Sequence, residues 1–141
     1  MALDISPLRS AYTALNKSLG FLYSEMADDV DLREQFRAAS IQAFEFTHEL
    51  GFKMLKRQLE QMAADPATVD KMTYMEAIRS GAEAGLIADV TRFKNYRDKR
   101  NITSHTYDEE KAEEIVAVLR DFASDIRYLL EELEKRNRAA D

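Results

Sequence analysis

Apolar positions recur at spacings of three and four along nearly the whole chain, the period of helices with one buried face. Leu8, Tyr12, Leu15, Leu19 and Leu22 mark a first helix from Pro7 to about Met26, with Ser6 expected as its N-cap and Pro7 at its first position. Asp31, which forms a capping pair with Glu34, is expected to open a longer second helix. Its predicted buried stripe is Phe36, Ala39, Ala43, Phe46, Leu50, Met54 and Leu55. The helix should stop near Ala63, because Asp65-Pro66 cannot continue it. A polar connection from Ala64 to Met72 leads to the capping box Thr73-x-x-Glu76 of a short third helix, which Gly85 ends.

Asp89 caps a fourth helix and Asp108 a fifth. In the fifth, Ile115, Leu119, Phe122, Ile126, Leu129 and Leu133 repeat at 4-3-4-3-4, a seam for antiparallel neighbours. Lys135 to Asp141 is polar and unpatterned, the expected fraying tail. The pattern predicts an all-α antiparallel bundle of about five helices forming one domain over residues 1–141.

Composition narrows the chemistry. With 141 residues, 45% of them hydrophobic, the chain can bury a core without a metal or disulfide. It has no cysteine, which excludes thiol catalysis, zinc fingers and iron–sulfur clusters together. No apolar run approaches the roughly 20 residues of a spanning helix, and Met1-Ala2-Leu3-Asp4 does not begin a signal peptide. The expectation is a cytoplasmic protein away from the membrane.

The net charge of −6 argues against coating nucleic acid by bulk charge. Arg92 to Arg100 is the exception, with five cations and one anion: a local +4, leaving −10 on the remainder. Lys94, Arg97 and Lys99 are candidate phosphate contacts there; a solvated helix face is the plainer reading.

Only His48 and His105 are available as histidines. Glu45-x-x-His48 has the spacing of a carboxylate di-metal bundle, but no second copy exists, so no metal site or cofactor is expected. His48 is read instead as a packed helix histidine or a local hydrogen-bond partner for Glu45 or Glu49. Glu109/Glu113 and Glu110/Glu114 are read as a solvated acidic face. Arg100, Asn101 and His105 combine a permanent cation, an amide and a group that titrates near neutrality. On an unbroken helix Arg100 and His105 point roughly 140° apart. A shared site therefore needs a helix that ends near Ser104, or two copies meeting across a dimer axis.

At Arg100-x4-His105-x-Tyr107 the chain resembles the HEPN superfamily. Phe44-Glu45-Phe46-Thr47-His48-Glu49-Leu50, Glu76-Ala77-Ile78-Arg79, Ala84-Gly85-Leu86-Ile87 and Arg100-Asn101-Ile102-Thr103-Ser104-His105-Thr106-Tyr107-Asp108 narrow the resemblance to the nucleotidyltransferase substrate-binding protein family, also described as HepT-type toxins. Phe52 departs from the tryptophan often found there. The resemblance covers about Leu32 to Leu133. It implies a HEPN-like four-helix core and a homodimer encoded beside a minimal nucleotidyltransferase. Two roles are implied as alternatives. One is a metal-independent RNA-cleaving toxin, with Arg100 and His105 as catalytic pair, Asn101 as accompanying polar residue, and Tyr107 as the tyrosine that the partner silences by adding AMP. The other is a non-catalytic subunit that presents substrate to the nucleotidyltransferase.

Overall fold

A computed structural model describes residues 2–140; Met1 and Asp141 lie outside the described residues. Its seven α-helical segments are α1 (Ser6–Leu22), α2 (Val30–Met62), α3 (Pro66–Asp70), α4 (Tyr74–Glu83), α5 (Val90–Asn101), α6 (Glu109–Val116) and α7 (Leu119–Ala140). Helix α2, about 50 Å long at 1.5 Å per residue, is the pillar against which the other six pack.

Local chemistry sets the helix ends. Thr73 and Glu76 close a complete capping box on α4, Asp89 accepts the Arg92 amide at the start of α5, and Asp108 accepts those of Glu110 and Lys111 at the start of α6. Gly85 stops α4 at φ +79°, a left-handed conformation that a side chain would strain.

Other ends differ from expectation. Ser6 is the first residue of α1, and Asp4 accepts the Ser6 amide at 3.0 Å. Helix α1 stops at Leu22, short of Met26, because Ser24 turns its amide and hydroxyl onto the Phe21 carbonyl. The cap of α2 is Asp29, one turn-entry earlier than Asp31, since Asp29 has extended backbone and accepts the Leu32 amide.

The connection after α2 is partly ordered: Asp65 caps the one-turn α3, which buries Val69. The fifth predicted helix is divided at Ala117–Val118, where Val118 bonds three residues back to Ile115. All six seam residues from Ile115 to Leu133 are nonetheless buried. The expected tail is helical from Lys135 to Ala140 and tied down, Asp141 lying outside the described residues. Asn137 is buried, donates to Gln58 Oε1 and accepts the Leu3 amide, joining α7, α2 and the chain start.

The largest correction concerns α2. Met54 and Leu55 of the predicted stripe are buried, but before them the core face is Ile41, Phe44, Thr47, His48 and Gly51, while Phe36, Ala43 and Leu50 are half-buried, Ala39 is exposed and Phe46 is 59% exposed. Helix α2 has two apolar faces, and periodicity marks both without saying which one the bundle covers.

Candidate functional site

The sequence expectation of a helix break at the motif is met. Helix α5 ends at Asn101, a single 3₁₀ turn covers Thr103–His105, and Asp108 restarts the chain as α6. The turn closes through His105 N–H to the Ile102 carbonyl at 2.9 Å and Asp108 N–H to the His105 carbonyl at 3.0 Å. Asp108 then caps α6, so the motif occupies a short, doubly anchored corner.

Arg100 is held from two sides. Its guanidinium donates to Thr103 Oγ1 at 3.1 Å, while that hydroxyl donates to the Arg100 carbonyl at 2.8 Å. Glu45 Oε2 on α2 lies 3.6 Å away. Thr103 is buried and the arginine is not, so the corner presents a positioned cation to solvent.

His105 and Tyr107 are exposed beside it, Tyr107 at 84%. The Tyr107 hydroxyl is 3.5 Å from His105 Nδ1, with the rings edge to face. Asn101 is exposed at the end of α5. The structure thus joins His105 to Tyr107 and Arg100 to Thr103 and Glu45; among the described residues no hydrogen bond links Arg100 to His105.

The basic stretch separates into two kinds of cation. Arg92 grips Asp125 with two hydrogen bonds of 2.8 and 2.7 Å, and the Tyr96 hydroxyl donates to the same carboxylate. Arg92 is raised above its ordinary pKa by those bonds to Asp125, and Tyr96 is raised by burial and by the carboxylate. Arg92 is therefore a fastener between α5 and α7. Among the described residues Lys94, Arg97 and Lys99 enter no ion pair; Arg97 lies over the Tyr74 ring at 5.2 Å. Asp125 had a sequence signal, being three residues after Phe122 and four before Leu129, on the buried side of α7.

His48 is the packed histidine of the two readings, buried among Phe44, Tyr74 and Phe122, and it bonds neither Glu45 nor Glu49. Its Nε2 meets the Tyr74 hydroxyl at 3.0 Å, and that hydroxyl donates to the Phe93 carbonyl at 2.8 Å. With the tyrosine proton so committed, Nε2 is the protonated nitrogen of a neutral ring. Burial, reinforced by the charge of Arg100, pushes His48 down to about 4. Among the described residues no group of three histidines and carboxylates fits a metal ion.

Glu109 and Glu113 lie on the solvated face expected of them, with side chains 75% and 43% exposed, and they also reach across to α2. Glu113 bonds Arg33 at 2.6 Å and lies 3.6 Å from Arg37, and Glu109 lies 3.6 Å from Arg37, fastening α6 to α2. Sequence reading passed over Arg33 and Arg37 because their partners are some 70 to 80 residues away.

The sequence pattern of the family described as "nucleotidyltransferase substrate binding protein like" matches residues 3–135. The chain belongs to that family. A Haemophilus influenzae protein named probable ribonuclease HepT is 36% identical over 138 residues, covering 96% of this chain and 94% of that protein. A solved Haemophilus influenzae structure, described as revealing the fold of a substrate binding domain of a nucleotidyltransferase, superimposes with a TM-score of 0.87 at 35% identity, over 93% of this chain and 99% of that one. A Thermus thermophilus structure superimposes with a TM-score of 0.67 at 29% identity, over 87% and 98%. This HepT-type, HEPN-like membership agrees with the resemblance carried by the Arg100–Tyr107 motif. No helix among the described residues is long and apolar enough to cross a membrane.

Proposed function

We propose that the chain is the RNA-cleaving toxin of a two-gene module with a minimal nucleotidyltransferase, active without metal in the cytoplasm as a homodimer and controlled by AMP addition to Tyr107. The observation that carries this reading is the helix break at Asn101, which leaves His105 and Tyr107 on the surface beside a braced Arg100. The ribonuclease name of the Haemophilus relative supports it.

In this mechanism neutral His105 takes the proton of an RNA 2′-hydroxyl. The 2′-oxygen attacks the adjacent phosphorus, and the bond to the 5′-oxygen breaks, leaving a 2′,3′-cyclic phosphate. Arg100 stabilises the charge that grows on the phosphate oxygens. The departing 5′-oxygen receives a proton from the second subunit's copy of the histidine. Asn101 orients the phosphate, and Lys94, Arg97 and Lys99 hold its neighbours.

Control uses the exposed phenol. The Tyr107 oxygen attacks the α-phosphorus of ATP held by the partner, pyrophosphate leaves, and His105 Nδ1 is placed to receive the phenolic proton. The attached phosphate then occupies the cations and its base blocks the cleft. The deciding experiment is incubation of purified chain with RNA in EDTA, reading for cyclic-phosphate ends. The alternative, a non-catalytic substrate-binding subunit, is favoured by the description of the superimposed Haemophilus structure; absence of cleavage by unmodified chain selects it.

A further inference from the structure

A groove of about 320 Å³ runs between α2 and the corner that joins the motif to α6, at the small end of the roughly 300–1,000 Å³ of ligand pockets. Its floor is apolar: Ile41 and Ala112 are buried there, and exposed Ala38 forms a lip. Polar groups line it from both sides, Glu34, Arg37 and Gln42 from α2 and Thr106 from the motif corner. An apolar floor with a few polar groups around it is the usual make-up of a small-molecule site.

The fold does not use up these polar groups. The Arg37 side chain is only 12% exposed, yet Glu109 and Glu113 stand 3.6 Å from it, beyond a good hydrogen bond. Arg33 and Arg92, which fasten helices, bond their carboxylates at 2.6 and 2.7 Å. Arg37 thus keeps a fork of N–H donors at the groove wall, where few waters can reach them. Among the described residues Glu34 enters no ion pair, and the Gln42 and Thr106 side chains make no hydrogen bond.

We infer that the groove is a nucleobase subsite that selects guanine. The ring lies against Ile41 and Ala112, Arg37 donates to its O6 and N7, and Glu34 accepts from its N1 and N2 hydrogens. Guanine alone among the four bases pairs two neighbouring acceptors with two neighbouring donors, so a guanidinium and a free carboxylate in one groove match it. Adenine has one amino donor and no ring oxygen, and leaves one of the two without a bidentate partner. A phosphate does not suit the groove, because Glu34, Glu45, Glu109 and Glu113 surround its one cation. The groove also opens onto the motif: Glu45 at its end pairs with Arg100, and Thr106 lies between His105 and Tyr107. A base seated there belongs to a nucleotide beside the phosphate that Arg100 receives. That RNA supplies the base rests on the ribonuclease reading, whereas the preference of the groove for guanine does not.

The test uses the full chain with isoleucine methyls labelled for NMR. Guanosine 5′-monophosphate shifts the Ile41 methyl and binds about tenfold or more tighter than the adenosine, cytidine and uridine monophosphates. Glu34→Gln, a substitution at an exposed position, removes that preference. Ala38→Phe fills the groove from its lip and removes the binding, with helical circular dichroism unchanged. If Ala38→Phe fails to fold, Glu34→Gln and the methyl shifts decide alone. In short RNAs, cleavage falls next to guanine and drops when inosine, which lacks the N2 amine, replaces it. Equal binding of the four monophosphates, adenosine monophosphate bound as tightly as guanosine monophosphate, shifts that spare Ile41, or a preference that survives Glu34→Gln overturns the inference. Guanosine monophosphate bound in the groove with no cleavage of any RNA refutes the ribonuclease reading and leaves the subsite standing. Cleavage indifferent to guanine, with no guanosine monophosphate bound, refutes the subsite and leaves the ribonuclease reading standing.

Discussion

Tyr107 places its hydroxyl 3.5 Å from Nδ1 of His105, two residues back across a single 3₁₀ turn. The distance is at the outer limit of a hydrogen bond, and both groups are solvent-exposed. The pair is close enough for anything attached to the phenol to lie against the imidazole.

Replacement of His105 by alanine is expected to lower RNA cleavage by about 100-fold or more, the contribution of a positioned acid or base, without changing thermal stability, because the ring is exposed. Single-turnover assays with and without EDTA, on protein free of other nucleases, measure this. Cleavage equal to wild type would remove His105 from the mechanism.

Tyr107 is expected to be the acceptor of AMP. Co-expression with the nucleotidyltransferase partner of the proposed module should add one or more AMP masses to the wild type and none to Tyr107→Phe, as read by intact-mass spectrometry. Equal modification of both proteins contradicts the assignment.

Stability should fall in mild acid through His48. Its folded value of about 4 lies below the ordinary 6.5, so between these values the unfolded chain binds more protons. The contribution of the neutral ring is complete above about 6.5 and disappears as pH falls toward 4, up to about 3 kcal/mol. Urea unfolding at about pH 7 and about pH 4.5 should show a smaller acid loss for His48→Gln than for wild type. Identical losses would mean the histidine is not buried as described.

Asp125 fastens α5 to α7, and Asp125→Ala leaves the Tyr96 hydroxyl unpartnered inside the core. Because the Arg92 side chain is 44% exposed and stays hydrated, the expected cost is about 2–3 kcal/mol rather than that of a fully buried pair. Chemical denaturation gives the value, and amide exchange in α5 should accelerate. Unchanged stability would show the clasp to be incidental.

Local physics was readable in the chain itself. The capping box at Thr73 and Glu76, the Asp89 and Asp108 caps and the break after Asn101 depend on side chains reaching backbone a few residues away, and the left-handed stop at Gly85 depends on the lack of a side chain there. The Ile115–Leu133 seam was equally plain, because one apolar face on a polar helix has one way to point. Tertiary structure decided what periodicity left degenerate. It turned Phe44 inward and Phe46 outward on a helix with two apolar faces. It gave His48 to Tyr74, Asp125 to Arg92 and Glu113 to Arg33 across separations of 26 to 80 residues. Those pairings follow from which surfaces meet when the bundle closes, and spacing along one helix carries no record of its neighbour.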